Sequence, residues 1–92
     1  MNIRVYVNKI INNGGKTLAM LTLTLNEEFT VRNIRIIRGK SGRFVAMPKF
    51  SDSYGNFNDV CYTRSKELKT RIEEAVLAAY DEEVAKTETP DE

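Results

Sequence analysis

The sequence predicts an α+β fold: a small, mostly antiparallel sheet of about four to five strands with one long C-terminal helix packed on it. Three observations carry this expectation. Apolar and polar residues alternate through much of residues 2–47, the period of a half-buried strand. Breaks at Asn12–Gly15, Asn26–Glu28 and Gly39–Gly42 are short and rich in turn-forming residues, as hairpins require. Past Ser65 the period changes, and Leu68, Ile72, Ala75, Val76, Ala79 and Tyr80 fall on one helical face.

The first strand spans residues 2–11, with Ile3, Val5 and Val7 on one side and Arg4, Tyr6 and Asn8 on the other. Asn12-Asn13-Gly14-Gly15 turns the chain, because Asn and Gly tolerate the positive φ of tight turns. Residues 16–25 return, Ala19, Leu21, Leu23 and Leu25 alternating with Met20, Thr22 and Thr24. Phe29–Arg38 forms a third strand of mixed pattern, Val31 and Ile37 expected on one face and Ile34 and Ile36 on the other. Apolar residues on both faces imply cover from both sides, by a helix or a second subunit. Arg43–Met47 is a short fourth strand stopped by Pro48, residues 49–56 read as loop, and Phe57–Tyr62 as a last short strand. Ser65 is the expected N-cap of the helix, with Glu67 in its first turn and an end near residue 84. The tail AKTETPDE is acidic, carries a proline and lacks an apolar anchor, so residues 85–92 are expected to be disordered and residues 1–84 to form the single domain.

Composition narrows the function. The 92-residue chain has no histidine, the commonest general base and metal ligand, and a single cysteine, Cys61, so neither a Cys–His nucleophile pair nor a zinc site is expected. No catalytic residue, metal or cofactor is assigned. Glu73, Glu74, Asp81, Glu82 and Glu83 read as a solvated helix surface rather than an acid/base pair. Gly39-Lys40-Ser41 resembles the end of a phosphate-binding loop, but Ile34 stands where its leading glycine belongs and a strand, not a helix, follows. The N-terminus has charges at Arg4 and Lys9 and no apolar core of a signal peptide, and the lone cysteine suits a reducing compartment; the expected location is cytoplasmic, with no membrane or small-molecule partner. Cys61 itself is expected to be buried, as free cysteines usually are.

Charge is unevenly distributed. Residues 1–50 hold nine Lys/Arg and two acids, a net +7, while residues 51–92 hold five and eleven, a net −6. The basic half either holds phosphates or is complemented by the acidic half of its own chain or of a neighbour. Its densest part is Arg32, Arg35, Arg38, Lys40 and Arg43. Arginine suits phosphate because its planar fork donates two parallel hydrogen bonds; the plainer alternative is that these residues solubilise the surface and guard an edge strand. Arg64, Lys66, Lys69 and Arg71 form a second basic group at the helix start, where the free amides favour anions; the alternative there is an exposed face with an i,i+4 pair, Lys69–Glu73. Phe44, Tyr54 and Phe57 are candidates for stacking on bases, with Phe44 and Phe57 expected in the core.

The same stretches carry a family resemblance. The segments NEEF, IRIIRGKSGRF (Ile34 to Phe44) and FVAMP, the segment YGNFNDV (Tyr54 to Val60) and RIEEAVL (Arg71 to Leu77) resemble, in order, segments of the SpoVG family, small bacterial proteins named for sporulation and septation. The similarity runs over roughly residues 1 to 80; Cys61-Tyr62-Thr63-Arg64 departs from the family's A-H-P-I. The resemblance implies a homodimer and binding of DNA and RNA, with Lys69 and Arg71 at positions where the family has basic residues. Dimerisation through the sheet is also the expectation from the two-sided third strand of so small a chain. Two functions therefore stand: a nucleic-acid-binding regulator using Arg32, Arg35, Arg38, Lys40, Arg43, Lys66, Lys69 and Arg71, or a protein-interaction module of the division or sporulation machinery.

Overall fold

A computed structural model describes residues 1–88. Six strands precede one helix: β1 (Ile3–Ile10), β2 (Thr17–Leu25), β3 (Phe29–Gly39), β4 (Gly42–Ala46), β5 (Lys49–Ser51), β6 (Phe57–Asp59) and α1 (Lys66–Glu88). The fold is α+β. Strands β1 to β4 form an antiparallel sheet in sequence order, and β5–β6 forms a separate two-stranded ribbon.

The turns follow local chemistry. Gly14 has a φ of 83°, and the amide of Gly15 donates to Asn13 Oδ1 at 2.9 Å. At the β2–β3 turn Asn26 and Glu27 both take positive φ, and Asn26 also accepts from the amide of Asn2 at 2.8 Å, tying the start of β1 to this turn. Gly39 faces Gly42 across the β3–β4 hairpin, and a Cβ on Gly39 would meet the Phe44 ring at 3.1 Å. Strand β4 follows at once, so Gly39-Lys40-Ser41 is a hairpin turn and not a nucleotide-binding loop.

Helix α1 covers one face of the sheet. Ala19, Leu21, Leu23, Ile34 and Ile36 of the sheet and Ile72 and Val76 of the helix form the buried core. Leu68, Leu77 and Tyr80 pack beside them, as the helical spacing predicts. Ser65 caps the helix, its hydroxyl accepting from the amide of Leu68 at 3.1 Å. The helix crosses the sheet: Arg71 Nη2 donates to the carbonyl of Met1, next to β1, at 2.8 Å, and Asp81 reaches Arg43 on β4.

Several expectations need correction. Residues 49–51 are a strand rather than loop. The carboxylate of Asp52 accepts from the amides of Tyr54 and Asn56, both at 2.9 Å, and from Asn58 Nδ2 at 3.3 Å, closing a turn that aligns β5 with β6. These bonds, that of the Asn56 amide above all, hold the carboxyl of Asp52 below the usual range. Helix α1 runs to Glu88, so residues 85–88 are helical, and the rest of the expected disordered tail lies outside the described residues. Val31 shares the core face with Ile34 and Ile36, leaving Ile37 on the other. Cys61 is only partly buried; burial and then the charge of Asp59 push its thiol pKa up. Phe44 and Phe57 are not core residues: they are 49% and 73% exposed, one on an edge strand and one on the ribbon. Among the described residues no helix is long and apolar enough to cross a membrane.

Candidate nucleic-acid interface

The five cations of residues 32–43 do not form one strip. Alternation along β3 and β4 separates them, with Arg32 and Arg35 on the face away from α1 and Arg38 and Arg43 on the helix side. Lys40 sits in the turn between these strands. Arg43 is engaged by its own chain. Its two terminal nitrogens donate to the two carboxylate oxygens of Asp81 at 2.6 and 2.7 Å, and its guanidinium lies 5.7 Å from the centre of the Tyr80 ring. The bonded guanidinium holds the Asp81 carboxyl below its usual range. Here the basic sheet meets the acidic helix, as the charge asymmetry allows. Arg38 Nη2 is 3.4 Å from the carbonyl of Gly15.

The helix cations are also divided. Arg71 is bound to the Met1 carbonyl, Lys69 lies 4.0 Å from Glu73 as the i,i+4 spacing predicts, and Lys66 is exposed in the first turn. These three lie on the helical side of the molecule, opposite Arg32 and Arg35.

Of three register shifts in the sheet, two add a side chain to the open face. Between the pairs Val7↔Leu21 and Lys9↔Met20, strand β1 carries one extra residue, and between Leu21↔Ile34 and Leu23↔Val31, strand β3 does the same. A bulge lets two successive side chains leave on one side. Asn8 and Lys9 therefore both face the open side, and so do Arg32 and Asn33, with Thr22 of β2 between them. Asn33 adopts a φ of 65°, a left-handed conformation that Asn tolerates better than most residues. Thr22 Oγ1 donates to Asn8 Oδ1 at 2.5 Å, fixing the floor of this region.

The result is a shallow groove. One depression of about 560 Å³ is lined by Tyr6, Asn8, Lys9, Met20, Thr22, Thr30, Arg32 and Asn33. A second, of about 280 Å³, includes Lys16, Thr17, Met20 and Arg35, so the two meet at Met20. Lys9, Met20 and Arg35 lie in one row across three strands. Four cations line the groove, and among the described residues no carboxylate does. Arg32 and Arg35 have no ion-pair partner among the described residues.

The sequence reading missed Lys9, Lys16, Tyr6, Asn8 and Asn33 as site residues. A signal was available: Val31 and Ile34, both on the core side, are three apart where strict alternation demands two. Beyond Arg35 the open face turns apolar, with Ile37, Phe44 and Ala46 at the β4 side and Phe57 of the ribbon beside them.

The sequence model of the SpoVG family matches residues 1–82. A SpoVG protein of Desulforudis audaxviator (strain MP104C), named for septation, is 38% identical over 77 residues, covering 84% of this chain and 86% of the relative. Similarly named proteins of Staphylococcus aureus (strain JH9) and Staphylococcus haemolyticus (strain JCSC1435) are 36% identical over 72 residues, covering 78% of this chain and 72% of each relative. With the family pattern spanning the sheet, the ribbon and most of the helix, and relatives 36–38% identical over more than three quarters of the chain, the chain belongs to the SpoVG family.

Proposed function

We propose that this protein is a cytoplasmic, nucleic-acid-binding regulator that influences septation and sporulation, and that it acts by binding rather than catalysis. One observation carries the reading. Arg32 and Arg35 stand on the open face with no ion-pair partner among the described residues, joined by Lys9 and Lys16 around a groove that no described carboxylate lines. A concave surface of one sign of charge concentrates a polyanion. Phosphate contacts supply most of the affinity in such a complex and make it steeply salt-dependent. Arg38, Lys40, Lys66 and Lys69 add to the long-range field, whereas Arg43 and Arg71 are already bound within the chain.

The test is an anisotropy titration with mixed DNA and RNA oligonucleotides across a salt series. Neutralisation of four phosphates predicts a log–log salt slope of about −3. The double reversal Arg32→Glu/Arg35→Glu is expected to abolish binding at physiological salt. Affinity that does not change with salt would refute phosphate contact.

The same reading takes the chain as a homodimer joined through the sheet. Its support is the outer edge of β4, which pairs with no described strand, next to the apolar group Ile37, Phe44 and Ala46. Phe44→Arg is expected to give a monomer in sedimentation equilibrium.

A second reading is favoured by the ribbon. Phe50, Tyr54 and Phe57 are exposed on β5–β6, which joins no strand of the main sheet. Such aromatics suit docking to a partner in the division machinery. Under this reading Phe50→Ser/Phe57→Ser abolishes partner binding while the arginine reversal leaves it intact.

A further inference from the structure

We infer that the open-face groove takes a single strand of nucleic acid, its bases against Tyr6 and the amide side chains of Asn8 and Asn33, its phosphates on Lys9, Lys16, Arg32 and Arg35. This rests on the nucleic-acid reading above and specifies the form of its ligand. The groups around the groove argue for it. Its floor carries an aromatic ring and side chains with donors and acceptors, while the four cations stand around them. A double helix presents phosphates outward and keeps its bases stacked inside. Its major groove, about 12 Å wide, admits a helix or a two-stranded ribbon; the face of a four-stranded sheet, about 14 Å between outer strand axes, does not enter. A duplex on this surface would meet the cations and leave Tyr6, Asn8 and Asn33 without work. Unpaired bases reach them, stack on an aromatic ring and expose their hydrogen-bonding edges.

The bulges give these groups their positions. Each places an amide and a cation side by side: Asn8 with Lys9 on β1, and Asn33 with Arg32 on β3. The two pairs face each other across β2, about 10 Å apart as two strand spacings. An amide that reads a base edge beside a cation that holds the adjoining phosphate is the arrangement one nucleotide needs. Tyr6 is 51% exposed, and Arg4, which lies 3.5 Å from Glu27, stands beside its hydroxyl.

The experiment uses the full chain and one labelled oligonucleotide of mixed sequence, titrated as a single strand and as the matching duplex. The single strand is expected to bind at least about tenfold more tightly. Tyr6→Ala weakens the single strand by about tenfold, leaves the duplex within about twofold, and Tyr6→Phe restores most of the loss. Thermal unfolding of each variant separates lost folding from lost stacking. Photo-crosslinking of a 5-bromouracil-substituted strand, mapped by mass spectrometry, is expected at Tyr6. Equal or tighter binding of the duplex, equal effects of Tyr6→Ala on both forms, or crosslinks at Tyr54 or Tyr62 in place of Tyr6 would overturn the inference while the nucleic-acid reading survives. No binding of either form at low salt would overturn both.

Discussion

On the covered face of the sheet, Leu21, Leu23, Ile34 and Ile36 are at most 1% exposed beneath α1. On the open face of the same strands, Thr22, Arg32 and Arg35 remain in contact with solvent beside Met20. The two faces share a backbone and differ only in which side chains the pleat and its bulges send each way. The covered face is filled by apolar volume and tolerates little change. The open face is organised by charge and by two bulges that weaken the ladder locally, an arrangement with no packing gain of its own. The division also sorts the arginines: on the helix side Arg43 is bound internally, on the open side Arg32 and Arg35 are free of ion-pair partners among the described residues.

The contrast predicts opposite outcomes for neighbouring residues. Ile36→Ala, at a fully buried position, is expected to lower stability by about 2–5 kcal/mol in urea unfolding, enough to unfold much of a domain this small. Arg35→Ala, one residue away, should change stability by less than about 0.5 kcal/mol. Binding reverses the order. The Arg32→Glu/Arg35→Glu protein should remain folded by circular dichroism and lose more than about tenfold in nucleic-acid affinity. Arg43→Gln should lose less than about twofold, because its guanidinium is committed to Asp81. If Arg43→Gln and the double reversal weaken binding alike, the division between faces is wrong.

The main sheet and helix were legible in the sequence because burial imposes its period on them. Ser65 was legible as a cap because its hydroxyl does what a cap requires. The site was only partly legible. Arg32 and Arg35 were read correctly as surface cations, yet Arg38 and Arg43 were grouped with them, since a run of cations does not say which face each takes. A strict two-residue period places Val31 with Ile37; the extra residue at Arg32–Asn33 reverses that and brings Val31 to the core. Strand β5 escaped because Lys49-Phe50-Ser51 has no buried face, being held by the Asp52 turn, the Lys49–Asp59 ion pair and the bond from the Val60 amide to the Pro48 carbonyl. The helix passed residue 84 because Ala85 and Lys86 are good helix formers, and an acidic composition does not itself end a helix.

The β3 bulge can be tested through its backbone. Asn33 holds φ at 65°, where a β-carbon is unfavourable. Asn33→Val is expected to destabilise by about 1–2 kcal/mol, and Asn33→Gly to fold at least as well as the parent at this position. Both lose the Asn33 amide, so both should bind a single strand more weakly. Equal stability of the Gly and Val variants would mean that the bulge is not held in solution.

A small effect also belongs to the Arg43–Asp81 pair on the covered side. It has two short bonds but lies at the surface, with side chains 37% and 55% exposed, so it contributes less than about 1 kcal/mol. Its pH dependence has a definite sign. The folded protein holds the Asp81 carboxyl below its usual value, chiefly through the bonds from Arg43. The folded state thus binds this proton less readily than the unfolded one. The contribution is complete above the ordinary carboxylate value of about 4. It is lost as pH falls through the lower folded value. Asp81→Asn should therefore be slightly less stable than the parent at neutral pH, and the two should converge in acid. A difference that persists unchanged below that window would assign the effect to packing of Asp81 against Tyr80 and Arg43 rather than to charge.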